Sequence, residues 1–333
     1  MVSVLSTALC KRPNFVSRFP ANEHFDRGVI AENVQWYLSE KWPWKSDAER
    51  ERYLTKDFEG WGLMILGDAP SDRTEAACLW FSWLFLWDDM VEKMSSSEAR
   101  LSLVQLAEIF SDTRIPKDPT PIERIALAIR DMLLEVDDDD LRDLGRSILT
   151  QVCHFFTAIG SKQDRARAFA GGFDSFIKYR LNDVGGRLAL ELLLWARGCI
   201  IPPNAKSTGL ADLVNISLLH ATLINDFFSY EVEAEVLREL EFSGRKKHGY
   251  MVFNTVAVLM AEKSMSRTDA YVELIEKIKV VEKRYVKALD DLRIRHRESG
   301  EDLTRIEEVS DVLVDLMGGN SVWSETCGRY NPA

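Results

Sequence analysis

From Leu213 to Glu233 the chain reads LVNISLLHATLINDFFSYEVE. Apolar side chains occupy nearly the whole helical circumference as far as Phe228, so the segment reads as a helix with neighbours on every side. A second run of this kind, AACLWFSWLFLW from Ala76 to Trp87, leads directly into Asp88 and Asp89. Outward from these two, helical spacing recurs over Leu101–Phe110, Ile122–Leu134, Arg187–Ala196, Met251–Met260 and Ala270–Leu292, with no convincing strand alternation. Breaks are expected at Trp42–Trp44, Gly67–Pro70, Pro116–Pro121, Gly198–Pro203 and Ser243–Gly249. The pattern predicts an all-α fold, a single helical bundle over residues 21–333. Residues 1–20, mixed in character and carrying Lys11, Arg12 and Arg18 around two prolines, are expected to form a loose leader without the apolar centre of a secretory signal.

Composition narrows the function. The 333 residues are 46% hydrophobic and 29% charged, enough for a full core. No stretch approaches the ~18 uninterrupted apolar residues of a membrane span. Five widely spaced cysteines with no CxxC pair point to free thiols in a reducing compartment, the cytoplasm. Forty-two basic against 53 acidic residues give a net charge of −11, which disfavours nucleic acid as a partner. An anionic substrate would have to be drawn in by metal cations or by a few placed arginines.

The two buried-looking helices both carry carboxylates at their polar ends. Asp88 and Glu92 are four apart and share a face, with Asp89 turned about 100° away. Like charges on one face call for a cation between them, and magnesium, held by one or two carboxylates plus phosphate oxygens, meets that need. Asn225, Ser229 and Glu233 lie at i, i+4 and i+8, a stripe about 12 Å long at the helical rise per residue. Three oxygen donors in line suit a second hard-cation site. A chance match to [ND]Dxx[ST]xxxE is of order one or two per cent in a chain this long. Asp139, Asp140 and Asp143 also fit DDxxD, but they lie in the acidic run from Asp137 without an aromatic wall before them, and a solvated helix start is expected there.

Asp88-Asp89-x-x-Glu92, followed 137 residues later by Asn225-Asp226-x-x-Ser229-x-x-x-Glu233, resembles the motif pair of microbial class I terpene synthases, fungal sesquiterpene cyclases in particular. The resemblance covers most of the chain and implies a helical bundle around a central cavity. By similarity, Asp88 binds two magnesium ions with Asp89 and Glu92 as outer contributors, while Asn225, Ser229 and Glu233 bind a third. Arg180, 45 residues before Asn225, resembles the diphosphate-sensing arginine, and Asp183 and Val184 the linker and effector that follow it. Arg329 and Tyr330 resemble the pair that hydrogen-bonds the diphosphate on closure. Trp323 falls where a cavity aromatic is usual, and Phe81 and Phe85 share the Asp88 face. One departure stands out: many relatives carry Lys where this chain has Val232; Arg245, Lys246 and Lys247 read first as a solvated basic loop and, in the alternative, as compensating donors. The acidic run also contains DxDD, the acid motif of protonation-initiated cyclases, but those have a larger architecture.

The resemblance implies magnesium-dependent ionisation and cyclisation of an isoprenoid diphosphate, farnesyl diphosphate first, by an enzyme whose relatives are commonly homodimers. Alternatives are a diterpene cyclase using geranylgeranyl diphosphate, a chain-elongating isoprenyl diphosphate synthase, and a catalytically dead helical binding protein. Segments Ser243–Gly249 and Gly328–Ala333 are expected to move on closure.

Overall fold

Several helix starts in this chain are set by short polar side chains that satisfy the free N–H groups of a first turn. Ser46 accepts from Glu49 N. Ser95 and Thr120 form reciprocal capping boxes with Glu98 and Glu123, and Pro121 adds a preset φ at the first helical position. The computed structural model describes residues 12–91, 94–136, 138–158, 162–199, 209–244, 251–299 and 303–331. Among them the regular elements are all helices: α1 Arg27–Lys41, α2 Asp47–Leu54, α3 Phe58–Ile65, α4 Ser71–Val91, α5 Ser96–Phe110, α6 Pro121–Leu134, α7 Asp139–Ala158, α8 Lys162–Ala170, α9 Gly172–Asp183, α10 Gly186–Arg197, α11 Leu210–Phe242, α12 Thr255–Lys263, α13 Arg267–Ser299 and α14 Thr304–Thr326.

The helices without a wet face are central, as their composition requires. Helix α4 buries ten residues, Trp80, Trp83 and Trp87 among them, between α1, α3, α6 and α10. Helix α11 is buried from Leu210 to Tyr230 against α14, α13 and α12, then continues for another three turns with half-exposed or exposed side chains. The Asn225 stripe is therefore in the middle of a helix and not at its end. Helix α14 lies tight on α3 because Gly319 has no Cβ; one built there would stand 2.1 Å from the Met64 carbonyl oxygen.

Two expectations change. Helix α12 starts at Thr255, four residues later than the apolar run from Met251 suggests, because the Asn254 side chain accepts from Val256 N and fixes the start there. The stretch expected as a loose leader is packed from Arg12 onward. Phe15 is buried with its ring 5.7 Å from that of Phe227. Ser17 Oγ donates to Glu282 Oε1 at 2.8 Å and His220 Nε2 lies 3.3 Å from the same oxygen. A carboxylate buried between α11 and α13 needs such partners, and the N-terminal stretch supplies them. No helix of the described residues is long and apolar enough to cross a membrane. The described cysteines, Cys78, Cys153, Cys199 and Cys327, are free thiols.

Candidate active site

Helix α4 delivers Asp88 and Asp89 to one end of the bundle, and α11 brings Asn225, Ser229 and Glu233 to the same mouth. The C-terminal residues bridge these two walls. Arg329 Nη1 donates to Asp89 Oδ1 at 3.0 Å, and its other terminal nitrogen lies 4.0 Å from Asp88 Oδ2. The next residue reaches the opposite wall, where Asn225 Nδ2 donates to the Tyr330 hydroxyl at 2.8 Å. The tail can lie this close because Gly328 sits on the loop between α2 and α3, where a Cβ would fall 1.8 Å from the Thr55 carbonyl oxygen. The same loop receives the Trp323 indole N–H on the Asp57 carbonyl, at 2.6 Å.

The two aspartates of the first motif differ in what surrounds them. Asp88 keeps 57% of its side-chain surface open. Even so, surrounding protein raises its carboxyl above the ordinary range, partly offset by Arg329. Asp89 has both oxygens taken, one by Arg329 and the other by Lys56 Nζ at 2.7 Å. Burial alone would raise its carboxyl, but Arg329 and Lys56 together hold it below the ordinary range. Glu92 lies outside the described residues, as do Arg245, Lys246 and Lys247.

On the other wall, Asp226 is fully buried and anchors two elements at once. Its Oδ1 accepts from Arg180 Nε and Nη2 at 3.1 and 2.9 Å. Its Oδ2 accepts from Thr255 N and Thr255 Oγ1, which ties the start of α12 to α11. Arg180 also donates to Asn225 Oδ1 and, at 3.2 Å, to Asp183 Oδ2. Burial would lower the Arg180 pKa, yet Asp226, Asp183 and Glu233 hold the guanidinium above its ordinary value. Ser229 Oγ accepts from Asn254 Nδ2 at 3.1 Å. Burial raises the Glu233 carboxyl, partly offset by Arg180. Helix α9 ends at Asp183; Val184 caps it, and Gly185 turns left-handed at φ 71° to start α10. Val184 is therefore at the helix break between α9 and α10, its N–H on the Arg180 carbonyl at 2.9 Å.

Beneath the tail lies an aromatic wall. Phe85 stacks on Trp323 with ring centroids 5.7 Å apart, Phe81 meets Trp61 edge-on at 4.4 Å, and Phe58 lies 5.0 Å from Phe85. The Arg329 guanidinium rests over Phe85 and Phe58 at 4.9 and 5.1 Å. The decoy carboxylates lie elsewhere. Asp139 and Asp143 pair with Arg142 and Arg146 on the exposed first two turns of α7, as expected of a solvated helix start. A surface groove of about 450 Å³ between the end of α1 and the start of α6 carries none of the motif residues.

The residues present fit small hard cations in kind. Asn225, Ser229 and Glu233 offer only oxygen ligands along one face of α11, and Asp88 offers a carboxylate across the mouth. No three described carboxylates, imidazoles or thiols come together as a closed metal cage. A cation here would complete its shell with oxygens from elsewhere, as magnesium does with phosphates. Sequence reasoning placed the metal motifs, Arg180, Arg329 and Tyr330 at this mouth. It missed Asp226 as an anchor, and Lys56, Phe58 and Trp61 as part of the wall. Asp226 carried a signal, its place inside the second motif; Lys56 carried none.

The sequence matches the family described as terpene synthase family 2, C-terminal metal binding, over residues 79–284. It is 27% identical to (+)-aristolochene synthase of Penicillium expansum over 303 residues, 91% of this chain and 86% of that one. Against aristolochene synthase of Aspergillus terreus it is 25% identical over 305 residues, 91% of this chain and 89% of that one. The crystal structure of aristolochene synthase from Penicillium roqueforti superposes with a TM-score of 0.74 at 18% identity, covering 95% of this chain and all of that one. An α-eudesmol synthase structure gives the same TM-score at 17% identity over 94% of this chain.

Proposed function

Because the chain belongs to terpene synthase family 2, we propose that it ionises farnesyl diphosphate and closes the resulting carbocation into a cyclic sesquiterpene, releasing diphosphate. The choice of a C15 substrate draws on the relatives that match nine-tenths of the chain, aristolochene synthases, which cyclise farnesyl diphosphate. The observation that supports the site is the bridge made by Arg329 and Tyr330, consecutive residues that reach opposite oxygen-bearing walls.

Asp88 would hold magnesium on the α4 side, and Asn225, Ser229 and Glu233 would hold it on the α11 side, three ions in all. When bound, these ions neutralise charge developing on the leaving diphosphate. Arg180 and Arg329 contribute planar multi-donor groups suited to phosphate oxygens. The Tyr330 hydroxyl, pushed up to about 12 by burial, stays protonated at neutral pH and donates. Asp89 keeps its charge and holds Arg329 and Lys56 at the rim. Asp183 links Arg180 to Val184 at the break between α9 and α10, where the Val184 backbone carbonyl acts as effector. Phe81, Phe85 and Trp323, with Phe58 and Trp61, face the cation with π-surfaces worth roughly 0.5–2 kcal/mol each and offer no base to quench it. The tail over this wall keeps water from the cation until cyclisation is complete. Free thiols at the four described cysteines support a reducing compartment, the cytoplasm. A homodimer belongs to the same reading, and light scattering on the purified chain tests it.

Incubation with geranyl, farnesyl and geranylgeranyl diphosphates, each with magnesium and with EDTA, followed by gas chromatography with mass spectrometry, tests the function. Magnesium-dependent cyclic C15 product from farnesyl diphosphate is expected. A C20 product moves the substrate assignment, and longer diphosphates formed only with added isopentenyl diphosphate overturn the cyclase reading. Two variants sharpen the site. Arg329→Ala keeps its fold by circular dichroism and loses roughly 10²-fold or more in kcat/KM, the scale of one lost donor to developing charge. Unchanged kcat/KM removes Arg329 from the site. Replacing Asp139, Asp140 and Asp143 together by Asn leaves kcat/KM within about twofold, since solvated first-turn carboxylates serve only their helix. A large loss would make that run a metal site after all.

A further inference from the structure

We propose that Arg165 is a third diphosphate-binding arginine of this site, delivered from α8. The proposal rests on the terpene synthase reading above and extends it to a residue that no motif marks. Arg165 Nη2 donates to Asp183 Oδ1 at 2.9 Å, while the other oxygen of the same carboxylate takes Arg180 Nη1 at 3.2 Å. One buried carboxylate therefore seats two guanidinium groups side by side. Arg180 in turn donates to Asn225 Oδ1, and Asn225 Nδ2 donates to the Tyr330 hydroxyl beside Arg329. A hydrogen-bonded chain therefore runs from Arg165 on α8 through Asp183 and Arg180 on α9 to the α11 wall and the tail.

Arg165 also has capacity to spare. Its guanidinium is a hydrogen-bonding neighbour of the Tyr179 hydroxyl, and its terminal nitrogens carry more N–H groups than the bond to Asp183 uses. Its side chain keeps 41% of its surface open. The guanidinium lies over the Phe253 ring at 5.4 Å, which helps to fix its plane. Asp226 is taken by Arg180, which leaves Asp183 shared between the two forks, and a polyanion with several oxygens satisfies the donors that Asp183 leaves open. On the α11 wall Val232, beside Glu233, offers no donor, so positive charge on that side of the mouth must come from elsewhere.

Calorimetric titration of the full chain with inorganic diphosphate in excess magnesium separates this role from simple support of Asp183. Arg165→Met is expected to weaken diphosphate binding about tenfold, the scale of losing one charge-assisted fork, and to raise KM for the prenyl diphosphate in parallel. Arg165→Lys, which keeps the charge without the fork, falls between Met and wild type. Adding Val232→Lys to Arg165→Met restores part of the lost affinity, because a cation returns to the same anion from the other wall. Binding by Arg165→Met within about twofold of wild type, with only a lower Tm, would overturn the proposal. Should Arg165→Met fail to fold, the Lys variant decides: wild-type diphosphate affinity there also overturns it. A wild-type chain that binds no diphosphate would sink the functional reading itself, whereas equal binding by wild type and variants sinks this inference alone.

Discussion

Glu233→Gln is expected to lose about 10³-fold in kcat/KM, some 4 kcal/mol of transition-state stabilisation at roughly 1.4 kcal/mol per decade, while melting no lower than wild type. The two halves of that expectation have one cause. Glu233 is the charged member of the oxygen stripe on α11, and glutamine keeps its shape while removing the charge that a hard cation needs. Burial raises the Glu233 carboxyl above its ordinary range, so ionisation is harder in the folded chain than in the unfolded one. An acid shifted upward in this way works against folding above its folded pKa, and the penalty vanishes as pH falls below the unfolded value. Glutamine removes the penalty at neutral pH. Thermal melts and steady-state kinetics on one preparation check both halves, and a Tm well below wild type with modest kinetic loss would assign Glu233 to structure.

Asp226→Ala is the second large effect, and here stability falls together with activity. Asp226 is wholly buried against Arg180, whose own side chain is 13% exposed. Removing one partner of a buried ion pair leaves Arg180 with Asp183, already shared with Arg165, as its remaining carboxylate, at a cost of about 3–5 kcal/mol. Thr255 N and Oγ1 lose their acceptor in the same stroke. A fall in Tm on the order of 6–20 °C is expected, given roughly 2–4 °C per kcal/mol in a large domain. Asp226→Asn separates the roles. It returns an acceptor to Thr255 but holds Arg180 without charge, so most of the fold survives and kcat/KM drops about 10–100-fold, as when a supporting partner of a metal site is lost. Wild-type turnover in Asp226→Asn would show that Arg180 needs no anchor there.

These anchors explain which parts of the site were legible in the sequence. The stripe Asn225, Ser229, Glu233 is written in one helix, since i, i+4 and i+8 share a face whatever the rest of the chain does. Phe81, Phe85 and Asp88 are legible for the same reason, and the central position of α4 and α11 follows from their lack of a wet face. Local reading also disposed of Asp139, Asp140 and Asp143, whose helix start has no aromatic wall before it. What the sequence hid is what folding brings together from afar. Lys56 reaches Asp89 across 33 residues, and Arg165 reaches Asp183 from a neighbouring helix. Trp61 and Phe58 meet the rings of α4 only because α3 folds back on it. The start of α12 moved because Asn254 answers to α11 through Ser229 and the Asp226 carbonyl, a tertiary demand that overrides local hydrophobicity. The stretch from Arg12 to Phe19 looked loose because its partners, Phe227, Phe228 and Glu282, lie more than 200 residues away.

The central claim is that the two oxygen-bearing walls hold metal together with diphosphate. Crystals grown with manganese and inorganic diphosphate, with data collected at the manganese edge, test it most directly. The account predicts anomalous peaks on both sides of the mouth, at Asp88 and along Asn225, Ser229 and Glu233, with diphosphate between them and Arg180, Arg329 and Tyr330 turned onto its oxygens. Diphosphate in the mouth with no anomalous signal on the α11 stripe would contradict it.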